Sequence, residues 1–153
     1  MINDKQVIRR LWEDEGFVPH VYPDSKGYLT IGSGILVDQR RGGGITAEEG
    51  MYLLRNRMYR VQNLCMLNLS WFSKLDVIRQ QVIVCMAYQL GVNGVANFKR
   101  MVQAIERSDY TAAAAEMLDS NWARVDSHAR AHRMAAMMKH GEWIEPESAT
   151  LKE

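Results

Sequence analysis

Apolar residues recur along this chain first at helical spacing, then at the spacing of short strands, and then at helical spacing again. Val7, Ile8, Leu11 and Trp12 fall on one helical face, which predicts a first helix capped by Asn3 or Asp4 and stopped by Gly16. From Val18 to Val37 the residues are β-branched and aromatic, broken by Pro23-Asp24-Ser25-Lys26-Gly27 and by Gly32-Ser33-Gly34. That predicts a small hairpin-like sheet, kept short by Pro19 and Pro23. Gly42-Gly43-Gly44 forms an exit, and Thr46-Ala47-Glu48-Glu49 reads as a capping box with Thr46 as N-cap. Met51, Leu54, Met58, Val61, Leu64 and Cys65 then predict a long amphipathic helix with Arg55, Arg57 and Arg60 outside its stripe.

Ser73 is expected to cap a second helix from Lys74 to Leu90, whose centre, Val82 to Ala87, reads as apolar on all sides and hence surrounded by other helices. Gly91 should end it. Further helices are predicted over Phe98–Arg107, with Met101, Val102 and Ile105 inward, and over the alanine-rich Thr111–Leu118. A last long helix, capped by Asp126 or Ser127 and stopped by Gly141, turns Met134, Met137 and Met138 inward, as core packing rather than a partner groove. The polar tail from Ile144 to Glu153 is assigned no function. The fold class is therefore α+β and mostly helical, as a single domain over 1–153. Its sheet lobe covers about 16–45, a connecting helix about 47–68, and a helical lobe about 70–143 together with the N-terminal helix.

Composition narrows the functional classes. At 153 residues and 47% hydrophobic the chain suits one domain with a substantial core. Lys plus Arg number 19 against 18 for Asp plus Glu, so a net charge of +1 gives no field for general nucleic-acid attraction. Residues 1–10 lack an apolar signal region, and the longest apolar run, Val82 to Tyr88, is far below the roughly 20 residues of a spanning helix. The expectation is a soluble protein made in a cytosol. Cys65 and Cys85 are too far apart for a Cys-x-x-Cys motif and read as reduced core residues. His128 and His132 stand at i, i+4, but there is no His-Glu-x-x-His motif and no clear third ligand, so no metal and no organic cofactor are expected.

The stretch from Trp12 to Leu36 carries the candidate chemistry. Splitting a glycosidic bond needs a proton donor to the leaving oxygen and a second carboxylate that activates or orients water. Glu15, at a helix end, and Asp24, on a nearby turn, can supply that pair. Taken alone, each has a plainer reading: Glu15 as one acid of a surface Glu-Asp-Glu run, and Asp24 as a turn former in Pro-Asp-Ser-Lys-Gly.

The same stretch resembles a known family. Glu15-Gly16, Tyr22, Asp24, Gly27-Tyr28, Thr30-Ile31-Gly32 and Gly34 are similar to the T-even phage lysozymes, glycoside hydrolase family 24, whose triad is Glu, eight residues, Asp, five residues, Thr. The resemblance continues through Tyr88-Gln89-Leu90-Gly91, Gly94-Val95-Ala96, Phe98, Trp122, Arg130-Ala131, Arg133 and Gly141-Glu142-Trp143, and so covers roughly residues 5 to 143. It implies a sheet lobe and a helical lobe with a saccharide cleft between them. It also implies a muramidase in which Glu15 is the general acid, Asp24 the second carboxylate and Thr30 a holder of the attacking water, with inversion at the anomeric carbon. By the same resemblance Leu36, Tyr88, Gln89 and Arg130 contact the saccharide, and Arg130 pairs with Glu15 across the cleft.

The implied setting is that of a phage endolysin: a monomer acting on bacterial peptidoglycan, held in the host cytoplasm until a holin opens the membrane, and then acting in the periplasm and cell wall. Three departures qualify the match. Ile35 stands where the family has a histidine that forms a buried ion pair, the sheet lobe is shorter after Leu36, and the spacing between Trp122 and Arg130 differs by one residue. Two rivals stand beside this reading: a lytic transglycosylase working with a single glutamate, and a non-catalytic wall-binding or virion structural module.

Overall fold

Helix α1 spans Asp4–Glu15, and Gly16 closes it by donating its N–H to the Trp12 carbonyl at 3.1 Å. Phe17 then folds back, and its ring stacks on Trp12 with centroids 4.9 Å apart and planes 15° from parallel. The structure, a computed structural model, describes residues 4–38, 42–126 and 128–145. Asn3, Ser127, the side chains of Asp4 and Asp126, and the tail beyond Glu145 lie outside what is described, and the expected caps at those four positions with them. The chain divides into two compact units, Met1–Leu54 and Arg55–Glu153.

In the first unit the strands β1 (Val18–Pro23), β2 (Leu29–Gly32) and β3 (Ile35–Leu36) form an antiparallel sheet in the order β1-β2-β3. Val18 pairs with Gly32 and Tyr22 with Thr30, so β1 spends two more residues than β2 between these rungs and bulges there. Pro19, with no N–H to give a ladder, falls in the bulge. Thr30 pairs with Leu36 on its other side, which puts Tyr22, Thr30 and Leu36 on one rung and one face of the sheet. Thr30 is 4% exposed, a buried polar residue in the middle strand.

Helix α2 runs Ala47–Asn68 and starts with the expected capping box. Thr46 donates its N–H to Glu49 Oε2 at 2.7 Å, and Glu49 donates its N–H to Thr46 Oγ1 at 3.2 Å. These bonds from the Thr46 backbone and hydroxyl hold the Glu49 carboxyl below its ordinary range. The unit boundary falls inside this helix, and the core lies beyond it. Cys65 is fully buried, and Met58 and Val61 pack against the core, whereas Leu64 is exposed.

The next start is not where the sequence pattern put it. Phe72–Lys74 forms a single 3₁₀ turn, and α3 (Val77–Ala96) begins after Asp76, whose carboxylate accepts the Arg79 N–H at 3.1 Å. Ser73 is not the cap, because Phe72 and Leu75 on either side of it are drawn into the core and turn the chain before a helix can start. Gln80 Nε2 pins that turn by donating to the Leu75 carbonyl at 3.0 Å. Gly91 interrupts α3 at φ 73°, ψ 161°, a backbone conformation essentially restricted to glycine, so the central helix does stop there before one more helical stretch.

Helices α4 (Lys99–Glu106), α5 (Tyr110–Leu118) and α6 (His128–His140) complete the second unit, with a π-helical turn at Trp122–Asp126. Helix α5 packs on both α4 and α6, and α6 also packs on α3. Met101 and Met138 are fully buried, and Met134 and Met137 nearly so, as the inward methionine pattern predicts, and Met86 and Met117 are fully buried as well. Cys85 departs from expectation: it is exposed while Cys65 is buried. Its neighbours at helical spacing, Gln81, Tyr88 and Gln89, are exposed too, so the centre of α3 has an open stripe and is not apolar on all sides. None of the described helices is long and apolar enough to cross a membrane.

Candidate active site

Three consecutive acids end α1, and they are held differently. Arg9 Nε donates to Glu13 at 2.9 Å and Arg10 Nε to Asp14 at 2.8 Å, each one turn back along the helix. Glu15 has Leu11 at the corresponding position, so no helix cation reaches it. Within the first unit, no side chain among the described residues hydrogen-bonds or ion-pairs with the Glu15 carboxylate. Its side chain instead lies over the backbone of Gly34, in the loop between β2 and β3. A Cβ built on Gly34 would stand 2.6 Å from Glu15 Oε2 and 3.1 Å from its Cδ.

Asp24 opens the other turn of the sheet. Its Oδ1 accepts the N–H groups of Lys26 and Tyr28, both at 2.8 Å, while its own N–H and carbonyl bond Tyr28 and Gly27 at 2.8 and 2.9 Å. One carboxylate oxygen therefore builds the turn, and Oδ2 is the oxygen outside that arrangement. The plainer reading of Asp24 as a turn former is correct, and it leaves an oxygen for chemistry. Thr30 Oγ1 donates to the Tyr28 carbonyl at 3.1 Å, which fixes the hydroxyl and turns its lone pairs away from that bond. Asp24 precedes β2 and the Glu15 seat follows it. The strand between, Leu29 to Gly32, spans roughly 10 Å at the usual rise per residue.

Leu36, half-buried on β3, shares the face of Thr30. The other expected saccharide contacts belong to the second unit and are grouped there. Tyr88 and Gln89 stand on the open stripe of α3, and the buried Trp122 donates from Nε1 to Gln89 Oε1 at 3.0 Å. Arg130 is exposed on α6, and its charge reaches the same stripe. Cys85 opens to the surface on one side, but the protein atoms packed around the rest of it desolvate its thiol and push it up, while Arg130 and Arg133 pull it down. A π-helical turn, a winding that takes up one residue relative to an α-helical turn, lies at Trp122–Asp126, ahead of Arg130.

Two features escaped sequence reasoning. The apolar look of Cys85 and Tyr88 hid the open stripe, although Gln81 and Gln89 at i−4 and i+4 of Cys85 signal it. The seat on Gly34 had no local signature beyond Gly-x-Gly. The His128 and His132 rings lie with centroids 4.5 Å apart and planes tilted by 40°, and among the described residues no group of three or more His, Cys, Asp or Glu side chains is placed to hold a metal.

A mostly helical α+β chain with a small three-stranded antiparallel sheet has a lysozyme-like fold. The sequence profile of the family described as phage lysozyme matches residues 13–140, and the chain belongs to that family. It is 27% identical to "Probable T4-type lysozyme 1" of Dictyostelium discoideum, over 84% of this chain and 90% of that protein. It is 28% identical to the pre-baseplate central spike protein Gp5 of Enterobacteria phage T4, over 89% of this chain but only 27% of that protein. "Probable T4-type lysozyme 2" of Dictyostelium discoideum is 23% identical over 84% of this chain and 90% of that protein. These likenesses support a muramidase-like lysozyme.

Proposed function

We propose that this chain hydrolyses the β-1,4 bond between N-acetylmuramic acid and N-acetylglucosamine in bacterial peptidoglycan, and that it acts as a phage endolysin. Glu15 protonates the glycosidic oxygen, while Asp24 Oδ2 and the Thr30 hydroxyl orient the attacking water. The observation that carries this reading is the seating of the Glu15 carboxylate on the loop after β2, with the Asp24 turn at the other end of the same strand. The resemblance to the phage lysozymes supports inversion, for which the two carboxyl groups stand about 6.5–9.5 Å apart and leave room for a water, rather than the roughly 5 Å of a retaining pair. Leu36, Tyr88, Gln89 and Arg130 are proposed as saccharide contacts. The reaction proceeds without metal or organic cofactor. As an endolysin the protein, a monomer, waits in the host cytoplasm and reaches the periplasm and wall once a holin-type partner opens the membrane. The likeness to a segment of Gp5 supports a second deployment, the same activity carried on a virion.

The deciding experiment follows the turbidity of purified peptidoglycan. Wild type clears it, and Glu15→Gln clears it about 10²- to 10⁴-fold more slowly, the usual loss with a general acid. Equal clearing by the two proteins, or none by either, overturns the proposal. Mass spectrometry of the products separates hydrolysis, which leaves reducing ends, from transglycosylation, which leaves anhydro sugars.

A further inference from the structure

The Glu15 carboxylate raises a question that the proposed reaction does not answer: what holds it. Its two acidic neighbours are each fixed by an arginine one turn back, and Glu15 has no such partner among the described residues of its unit. What it has is Gly34. The side chain runs over the Gly34 backbone so closely that a Cβ there would stand 2.6 Å from Oε2, 3.1 Å from Cδ and 3.5 Å from Cγ. Real Cβ atoms do not approach a neighbour at the first of these distances, so any L side chain at position 34 displaces the carboxylate. Gly34 also has φ +74°, where L residues are strained. Beside Gly34, Ser33 Oγ is buried and has no hydrogen-bond partner among the described residues.

We propose that Gly34 is a positioning residue for the general acid, its bare α-carbon forming the seat that sets where the Glu15 carboxyl points. The seat is steric. It acts beside any pairing of Glu15 with Arg130, and it gives the absence of a side chain at Gly34 a role in turnover as well as in the turn. The inference rests on the assignment of Glu15 as the acid. A carboxyl displaced by about 1 Å from the oxygen it must protonate loses on the order of 10² in rate.

The test separates the seat from mere strain. Gly42 also has positive φ, +87°, but a Cβ there meets nothing within 4 Å, so Gly42→Ala introduces strain without a collision. Turnover is measured on a soluble oligosaccharide of alternating N-acetylglucosamine and N-acetylmuramic acid, with each variant's Tm recorded. Gly34→Ala is expected to lower kcat about 100-fold with KM changed less than about threefold, while Gly42→Ala keeps kcat within about threefold. D-alanine at position 34, introduced by chemical ligation, tolerates the positive φ and points its methyl to the opposite side. It is expected to keep kcat within about fivefold of wild type.

Three results overturn the inference: a Gly34→Ala variant as fast as wild type, equal losses for Gly34→Ala and Gly42→Ala, or a D-alanine protein as slow as the L-alanine one. If Gly34→Ala does not fold, the D-alanine protein and Gly42→Ala still decide, since a D-alanine protein with lost kcat and intact Tm contradicts the seat. A wild type inert on the oligosaccharide, or a Glu15→Gln variant as active as wild type, removes the underlying assignment instead, and the inference with it.

Discussion

Arg79 on α3 donates from Nε to the carbonyl of Met138 at 2.7 Å and from Nη2 to that of Lys139 at 3.1 Å, so one guanidinium closes the C-terminal end of α6 from a helix about sixty residues earlier. The same group lies 3.7 Å above the Tyr110 ring at the start of α5 and bonds Asp76 Oδ2 at 2.5 Å. Gly141 leaves room for it, since a Cβ there would meet Nη1 at 2.8 Å. A planar fork reaches all these partners at once, whereas an ammonium is a point charge on a flexible stem. Arg79→Ala is expected to cost about 3 kcal/mol, a fall of roughly 6–12 °C in Tm at this chain length. Arg79→Lys should recover less than half of it. A calorimetric Tm for Arg79→Lys within about 2 °C of wild type contradicts the fork.

Asp24 has two tasks that one pair of variants separates. Asparagine keeps an Oδ1 that accepts the Lys26 and Tyr28 N–H groups, while alanine removes the acceptor. Asp24→Asn is expected to keep its Tm within about 2 °C of wild type yet lose at least about 10² in turnover. Asp24→Ala should lose the same turnover and a further 1–2 kcal/mol or so of stability. Urea unfolding and peptidoglycan clearing, run on both variants, check the split. An active Asp24→Asn leaves the residue with the turn alone.

These two sites also show how far the sequence could be read. The Asp24 turn, the stop at Gly16 and the Thr46–Glu49 capping box are each complete within a few residues, so local chemistry specifies them and the pattern reveals them. The start of α3 is different. Ser73 and Asp76 are both good caps, and the choice is made by the burial of Phe72 and Leu75 against residues far along the chain. The α4–α5 turn is closed by Ser108 at φ 59°, where no glycine advertises the change of direction. The π-helical turn before α6 has no residue signature either. In the candidate site, the spacing of Glu15, Asp24 and Thr30 is visible in the sequence. The seat of Glu15 is not, because it exists only once β3 has folded back toward the end of α1.

Trp122 offers a test of the saccharide surface on the second unit. Its buried indole donates to Gln89 Oε1, which orients an amide on the open stripe of α3 next to Tyr88. Phenylalanine keeps most of the packing and removes the donor. If Gln89 contacts the saccharide, Trp122→Phe should raise KM roughly 3- to 10-fold with kcat within about threefold, and cost about 1–2 kcal/mol of stability. A change confined to stability, with KM as in wild type, separates Gln89 from substrate binding.

The Asp76–Arg79 pair gives the second unit a pH dependence with a definite sign. Partial burial is the largest single influence on the Asp76 carboxyl and raises it. The hydrogen bonds from the Arg79 side chain and N–H, together with the Arg79 charge, outweigh it and bring the carboxyl below its ordinary value of 3.8. Folding therefore favours the carboxylate. The stabilisation is complete above about pH 5, declines as pH falls past 3.8, and is gone below the still lower folded value. Asp76 is 43% exposed at its side chain, so solvent screening limits the pair to about 0.5–1 kcal/mol. Asp76→Asn retains an oxygen for the Arg79 N–H and removes the charge together with the oxygen that accepts from Arg79 Nη1. Its Tm should lie a few degrees below wild type at pH 7, and the gap should close between pH 5 and about pH 2. A gap that stays constant across that range means the carboxylate acts as a cap alone, with no electrostatic contribution from Arg79.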